Sequence, residues 1–192
     1  MSATALDIDV DELKNIIEAN WHHASHPKVQ RYVGKFFERT RTENKLAAKV
    51  NGNYGVYLVS IEVKEQGTRS ACSCYIGKGG GCHHCHALAH TFLNNPDSFK
   101  VVEKKELRKV ARLEDVADYL QSTTLEELLK DLKAAGIKQK DFAESIGMNP
   151  RHLSSIKSSE LRNRYYNELG ATKLACLWMI ERCKRAGKSS RK

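Results

Sequence analysis

The feature that most constrains this chain is a dense cluster of cysteine and histidine residues in the middle of its sequence. Four of the six cysteines fall within fourteen residues, as Cys72-x-Cys74 and Cys82-x-x-Cys85, and a glycine-rich segment separates the two pairs. Soft donors paired on either side of a flexible loop are what a tetrahedral zinc ion requires. The sequence therefore predicts a zinc site, with Zn²⁺ as the cofactor.

The composition limits what else the chain can be. Its 192 residues are 41% hydrophobic and 29% charged, which is typical of a globular protein with one large domain or two small ones. No apolar run approaches the roughly 20 residues of a membrane span, and the first residues lack the features of a secretory signal. We therefore expect no membrane partner and an intracellular protein, nuclear in a eukaryote and cytoplasmic otherwise. In a reducing compartment, cysteines bind metals more often than they form disulfides.

The basic charge gathers towards the carboxyl terminus. Of the formal net charge of +9, residues 121–192 hold 15 basic and 8 acidic residues, a surplus of 7. Residues 1–120 hold the other 17 basic and 15 acidic residues, a positive surplus of 2. A positive surplus on one module favours an anionic partner, of which nucleic acid is the commonest. A basic surface that only aids solubility is the alternative, and charge alone weighs the two equally.

The first hundred residues are predicted to mix helices and strands. Apolar residues recur at helical spacing near the start, and β-branched and aromatic residues favour strands further on. The predicted elements are a helix over Val10–Trp21, a second helix from Pro27 or Lys28 into the forties, strands over residues 54–63, 68–75 and 99–102, and a helix over Cys82–Leu93. The predicted inward-facing residues of the second helix are Val29, Tyr32, Val33 and Phe36.

The last third of the chain is predicted to be helical. Thr124 and Glu127 have the spacing of a capping box, and helical patterns continue to about Arg185, including helices over residues 158–168 and 170–185. The predicted fold class is α+β. Its parts are a zinc-bound ββα-type domain with flanking helices over residues 1–100, a linker with a short helix over 101–121, an all-α bundle over 122–185, and a basic disordered tail over 186–192.

The spacing of the cysteines indicates how one ion is held. Cys72 and Cys74 are two residues apart on a predicted strand, so both side chains point to the same face. The seven residues after Cys74 let the chain fold back, and the start of the following helix supplies the second pair of ligands. Cys82 with His84 provides that pair, and Cys82 with Cys85 is a zinc spacing in its own right.

The pattern Cys72-x-Cys74-x7-Cys82-x-His84, followed by Ala87-Leu88, resembles a SWIM zinc finger. That family has Cys-x-Cys, a variable spacer, and Cys-x-His leading into an apolar helix with Ala-Leu. The resemblance covers residues 54–94. It implies a structural, non-catalytic zinc site in a module that binds DNA or protein, with Cys72, Cys74, Cys82 and His84 as the ligands.

Other potential donors follow the predicted ligands. Cys85 is interpreted as a small buried apolar residue. His83, His86 and His90 recur along one face of the predicted helix, where they are either solvated or in contact with the phosphates of a ligand. Ligand assignment from spacing alone is ambiguous. As the second pair of zinc ligands, we favour Cys82 with His84 over Cys82 with Cys85.

Residues 139–156 are predicted to form two short helices joined by a tight turn. Gly147 can adopt the positive φ that ends a helix, and Asn149-Pro150 suits the cap and first position of the next helix. Ala143 is small at the point where the second helix crosses the first. The anchoring apolar residues are Phe142, Ile146, Met148, Leu153 and Ile156. This segment, within residues 124–160, resembles the helix-turn-helix of the Cro/repressor class.

In that class the second helix enters the major groove and its first residues meet base edges. The resemblance implies a reading surface of Asn149, Arg151, His152, Ser154, Ser155 and Lys157, and phosphate contacts from Gln139 and Lys140. The small Ser154-Ser155 pair and Pro150 leave few long side chains for base contacts, so modest base specificity is expected. A bundle used only for packing or dimerisation is the alternative, and we weigh DNA binding about three to one over it.

These observations favour a non-enzymatic, zinc-containing DNA-binding protein, regulatory or accessory, with duplex DNA as its partner. A catalytic zinc would need an open position and a nearby acid or base, and the sequence has no His-Glu-x-x-His motif, carboxylate cluster or phosphate-cradling loop. Two alternatives stay open. One is an adaptor that binds other proteins through the finger and the helix around Trp178, and the other is an accessory subunit of a DNA-processing enzyme complex.

Overall fold

The computed structural model describes residues 9–21, 26–64, 67–103, 110 and 112–189. Within these residues the fold is mixed α/β, with one five-stranded sheet and eight α-helices. Most of the strands lie in the first half of the chain and most of the helices follow. The chain divides into two compact units. The sheet unit comprises residues 1–104 with 162–164, and the helical unit comprises residues 105–161 and 165–192.

The sheet has the strand order β4-β3-β2-β1-β5. Neighbouring strands are antiparallel, except that β5 runs parallel to β1. Tight turns join β1 to β2 and β2 to β3, so the central strands form a meander. The strands are β1 Phe37–Thr42, β2 Lys45–Gly52, β3 Gly55–Lys64, β4 Gly67–Cys72 and β5 Lys100–Val101.

One face of the sheet is buried under helices. Three helices belong to this unit: α1 Val10–Asn20, α2 Pro27–Gln30 and α3 His83–Asn94. Alternate residues of β2 and β3 point into the core, as the period of a half-buried strand requires. The largest fully buried side chains of this core are those of Leu13 and Ile17 from α1, Leu46 and Ile61 from the sheet, and Leu88 and Phe92 from α3.

The predicted long second helix is wrong. Helix α2 ends at Gln30, and the chain turns through Gly34, whose φ of +76° a helix cannot accommodate. Residues 37–42 then enter the sheet, because their threonines and aromatic residue favour extended backbone and β2 offers its edge. Three of the four residues predicted to face inward are buried all the same, namely Val29, Tyr32 and Phe36, and Val33 packs against them.

In the described part of the helical unit there are five helices: α4 Leu113–Ser122, α5 Leu125–Ala134, α6 Gln139–Ser145, α7 Pro150–Leu161 and α8 Leu169–Ser189. The predicted capping box at the start of α5 is present: the Thr124 amide donates to Glu127 Oε2 at 2.8 Å, and the Glu127 amide donates to Thr124 Oγ1 at 3.2 Å. No helix within the described ranges is long and apolar enough to cross a membrane.

The predicted helix over residues 158–168 is wrong as well. Helix α7 runs on to Leu161 and the chain then leaves helical geometry at Asn163, whose φ is +55°. Asparagine tolerates this left-handed conformation better than most residues. Its side chain is buried within the sheet unit, where its amide donates to Ser60 Oγ at 3.0 Å and to the Ala71 carbonyl at 2.9 Å. Helix α8 extends to Ser189, beyond the predicted limit at 185.

A buried ion pair, which the sequence did not suggest, lies inside the helical unit. Lys173 Nζ is 2.6 Å from Glu160 Oε1, and both side chains are almost fully buried. The second Glu160 oxygen accepts from the Leu125 amide at 2.7 Å, at the start of α5. Lys173 Nζ also donates to the Leu120 carbonyl at 2.6 Å, near the end of α4. The pair thus satisfies backbone groups at two helix ends.

Candidate metal centre

The end of β4 and the start of α3 bring the four predicted ligands together. Cys72 is the last residue of β4, and the pairing with β3 continues to Ser73, whose amide donates to the Leu58 carbonyl at 3.0 Å. Cys74 follows on the loop, Cys82 is the residue before α3, and His84 lies in the first turn of α3. All four side chains are buried.

The donor atoms of these four residues are close enough to share one ion. Their sulfur and nitrogen atoms all lie within 4.8 Å of one another. His84 Nδ1 is 3.8 Å from Cys72 Sγ and 3.8 Å from Cys82 Sγ. Ligands bonded to a tetrahedral ion at about 2.0–2.3 Å stand about 3.5–3.8 Å apart. The buried Cys3His cluster therefore has a spacing compatible with a metal site.

Backbone groups of the loop point at two of the sulfurs. The Gly77 amide donates to Cys74 Sγ at 3.1 Å, and the Cys74 amide donates to Cys72 Sγ at 3.5 Å. Hydrogen bonds of this kind favour the thiolate over the thiol. A Cβ at Gly77 would lie 2.5 Å from Cys72 Cβ and 3.0 Å from Cys74 Sγ. Gly77 is therefore required for close approach as well as for loop flexibility.

The thiols of the cluster compete for one negative charge. The pKa of Cys82 is lowered because Cys72 and Cys85 form hydrogen bonds with its sulfur. The same contact with Cys82, together with burial, raises the pKa of Cys72 and of Cys85. Burial raises the pKa of Cys74. A cation among the sulfurs would stabilise several thiolates at once, and this donor set fits such an ion.

Aromatic rings hold the His84 imidazole in position. The Tyr32 ring packs edge-on against it with centroids 4.6 Å apart, and the Tyr57 ring lies at 5.1 Å. His84 Nδ1 faces the sulfurs, while Nε2 is buried without a hydrogen-bond partner in the described part of the chain. The packing thus fixes which nitrogen is offered to the ion.

Cys85 lies beside the cluster but outside the four-residue group. It is fully buried, and its Sγ is 3.7 Å from Cys82 Sγ. The neighbouring histidines contact aromatic rings: His83 stacks on Tyr32 with centroids 5.6 Å apart, and His86 packs edge-on against Trp21 at 4.8 Å. Burial lowers the pKa of His90 and of His83. Cys85 is buried, as the sequence interpretation expects, but it also contacts a predicted ligand.

The residues predicted to contact DNA lie on α6, on α7 and in the turn between them. Several are engaged in local hydrogen bonds: the Arg151 amide donates to Asn149 Oδ1 at 2.8 Å, and Gln139 Nε2 donates to Ser154 Oγ at 3.3 Å. Ser154 Oγ and Ser155 Oγ donate to carbonyls one turn earlier in α7. The long basic side chains on this surface are those of Lys140 and Arg151, which are exposed, and Lys157, which is half-buried.

One aromatic residue on this surface was missed by the sequence interpretation. The Tyr166 ring packs edge-on against His152, with centroids 5.3 Å apart. His152 is half-buried as a result and is less available to a ligand than its place at the start of α7 suggests. The Tyr165-Tyr166 pair in the sequence is the signal that was available for this contact.

Comparison with known proteins gives no significant match to any protein family, curated protein or solved structure.

Proposed function

We propose that this chain is a non-enzymatic, zinc-containing DNA-binding protein with a regulatory or accessory role in DNA transactions. The observation that carries the proposal is the exposed pair of basic residues on α6 and α7, Lys140 and Arg151, in a module with a large positive surplus. Such a surface attracts the phosphate backbone of nucleic acid.

In this proposal, Cys72, Cys74, Cys82 and His84 hold Zn²⁺ in a structural site. Three thiolates and an imidazole form a ligand set that zinc accepts readily, and four protein donors leave no open position for a substrate. The bound ion links the end of β4 to the start of α3 and stabilises the loop between them. The resemblance of the ligand pattern to a SWIM zinc finger supports the same interpretation.

The proposed DNA-binding element is the pair α6 and α7, acting as a helix-turn-helix. The turn between them is tight: Gly147 has a φ of +70°, and the Met148 amide donates to the Ala143 carbonyl at 2.8 Å. Phe142, Leu153 and Ile156 are buried between the helices and the rest of the unit. This geometry supports the Cro/repressor resemblance and leaves the first turn of α7 free to enter a major groove.

The hydrogen bonds on this surface limit how it reads bases. Asn149 caps α7, and the hydroxyls of Ser154 and Ser155 bond within the helix. Arg151 is then the best candidate for a base contact, since its guanidinium can bridge one guanine. Lys140 and Lys157 suit phosphates. We therefore expect strong dependence on salt and modest discrimination between sequences.

The test is a fluorescence-anisotropy titration of labelled duplex DNA over a range of salt concentrations. Lys140→Ala should weaken binding to all duplexes and reduce the salt slope by about one, whereas Arg151→Ala should weaken binding by about 1–3 kcal/mol and lower the discrimination between sequences. Lys133→Ala is the matched control, because Lys133 is an exposed lysine on α5 and belongs to neither α6 nor α7. Equal affinity and salt slope for wild type and both variants would refute the proposal.

An adaptor function is the second candidate, and α8 provides the observation that favours it. Leu174 and Trp178 are one helical turn apart and are 48% and 62% exposed. Exposed apolar residues of this size at i and i+4 are common at protein interfaces. A stoichiometric partner that co-purifies with wild type but not with Trp178→Ala, together with no shift of labelled duplex at low salt, would favour the adaptor.

A further inference from the structure

Cys85 is a buried thiol that the proposed metal site does not use, although it contacts that site. The four-residue cluster is complete without it. Its sulfur nevertheless lies 3.7 Å from Cys82 Sγ, which is the contact distance of two non-bonded sulfurs. Among the described residues, this places a spare thiol next to a predicted ligand.

The backbone between the two cysteines is already bent as a short disulfide loop requires. The Cys85 amide donates to the Cys82 carbonyl at 2.9 Å, closing a single turn at the start of α3. A turn of this kind brings residues i and i+3 within 7 Å at their Cα atoms, and a disulfide needs a Cα separation below about 7 Å. Rotation of the side chains can therefore join the sulfurs without moving the helix.

We propose that Cys82 and Cys85 are an oxidative modification site, at which a hydroperoxide converts the two thiols into a disulfide and thereby opens the metal site. The inference rests on the metal site of the proposed function. Disulfide formation removes Cys82 as a thiolate donor and leaves Cys72, Cys74 and His84. Three ligands fall short of the closed tetrahedral set that a structural zinc site requires.

The reaction balances in two steps. The Cys82 thiolate sulfur attacks one oxygen of hydrogen peroxide and the O–O bond breaks. The products are a sulfenic acid on Cys82 and hydroxide, which takes up one proton from solvent and becomes water. Cys85 sulfur then attacks the Cys82 sulfur, the S–O bond breaks, and a second water molecule carries away the hydroxyl and the Cys85 proton. In total the two sulfurs lose two electrons, which hydrogen peroxide accepts, and the Cys85 proton together with one solvent proton completes the two water molecules.

The experiment uses the full chain, reduced and loaded with zinc, and exposes it to hydrogen peroxide while a chelating dye records the release of metal. Trypsin cleavage after Lys78 and Lys100 puts Cys82 and Cys85 in one peptide, whereas Cys72 and Cys74 fall in the preceding one. A Cys82–Cys85 bond therefore lowers the mass of a single peptide by two hydrogen atoms. A bond from Cys82 to Cys72 or Cys74 instead joins two peptides.

We expect the single-peptide disulfide to accumulate in step with metal release, and thiol reduction followed by added zinc to restore binding. Cys85→Ala and Cys85→Ser should release metal at least about tenfold more slowly, because the neighbouring thiol acts as an intramolecular reactant. The control is Cys176→Ala/Cys183→Ala, which removes both cysteines of the helical unit and should release metal at the wild-type rate. Burial raises the pKa of Cys176 to about 12, so this thiol is unreactive.

Two outcomes overturn the inference. One is metal release from wild type without the single-peptide disulfide, and the other is release from Cys85→Ser at the wild-type rate. If either Cys85 variant folds poorly, the peptide map of wild type alone tests the inference, because it shows whether the Cys82–Cys85 disulfide accompanies metal release. Failure of the proposed metal site would look different, because reduced wild type would then bind no zinc before any oxidant is added.

Discussion

The two units of this chain stabilise their buried polar groups in different ways. In the helical unit, the buried ion pair of Glu160 and Lys173 is complete within the protein, since each charge has its opposite partner and a backbone group. In the sheet unit, the sulfurs of Cys72 and Cys82 each lie 3.8 Å from Nδ1 of the His84 imidazole, and all three side chains are buried. Buried polar groups must be compensated. Under the proposed function, we therefore expect the sheet unit to depend on a bound cation and the helical unit to fold without one.

Removing the metal should produce the largest effect, and it should be confined to one unit. Structural zinc contributes an apparent free energy of about 10–16 kcal/mol to small metal-binding domains. Incubation with a strong chelator, or the change Cys72→Ala, should therefore abolish protection from hydrogen exchange at the end of β4 and in α3. Protection in α5 and α7 should persist, because their core is separate. Hydrogen–deuterium exchange with peptide resolution measures both units in one experiment.

The matched control is Cys176→Ala, which removes a fully buried thiol from the helical core. It should lower protection in α5 and α8 and leave α3 and the metal stoichiometry unchanged. A chelated protein that keeps wild-type protection in α3 would contradict the difference between the two units.

Breaking the internal ion pair should have the next largest effect. Lys173→Met leaves the buried Glu160 carboxylate without its counter-charge, and removal of one partner of a buried pair costs about 3–5 kcal/mol. The loss should be measured as a lower free energy of unfolding of the helical unit in urea. Lys184→Met is the control, since Lys184 is exposed and lies 3.4 Å from Glu181. An exposed pair of this kind contributes about 0–1 kcal/mol.

A second variant distinguishes the cost of an unpaired buried charge from the cost of losing the packing of the lysine side chain. Glu160→Gln combined with Lys173→Met removes both charges and keeps an acceptor for the Leu125 amide. This double variant should be more stable than Lys173→Met alone, because no unpaired charge stays buried. Equal stability of the two would show that the lysine acts through its aliphatic stem.

The metal cluster could be predicted from sequence because its signal is local. The cluster consists of the closely spaced pairs Cys72-x-Cys74 and Cys82-x-His84, and a strand and a helix start need only short-range patterns to be recognised. The capping box of α5 was predictable for the same reason. In both patterns, residues only a few positions apart in the sequence determine how the side chains are placed.

The parts that could not be predicted depend on distant residues. Residues 37–42 contain no clear alternation and become a strand because β2 and β5 lie beside them in the fold. Asn163 interrupts a helical pattern, and its buried amide bonds to groups more than 90 positions earlier in the chain. The pairing of Glu160 with Lys173 likewise joins two different helices. Periodicity within one segment carries no information on such partners.

The smallest expected effect concerns one glycine in each unit, Gly77 in the loop of the candidate metal site and Gly136 in the helical unit. A Cβ at Gly77 would meet Cys72 Cβ and Cys74 Sγ, whereas a Cβ at Gly136, between α5 and α6, would meet nothing within 4 Å. Gly77→Ala should weaken zinc binding by about 10–100-fold, a change typical for groups that support metal ligands. Competition with a chelating dye of known affinity measures this shift.

Gly136→Ala is the matched control for that measurement. Its φ of +85° makes alanine unfavourable by about 1–2 kcal/mol, so it should lower the stability of the helical unit and leave zinc affinity at the wild-type value. Gly77→Ala thus acts on the sheet unit through a steric contact, whereas Gly136→Ala acts on the helical unit through backbone strain. Unchanged zinc affinity in Gly77→Ala would mean that the loop can move away from the sulfurs, and the close approach of its backbone would not be needed to hold the ion.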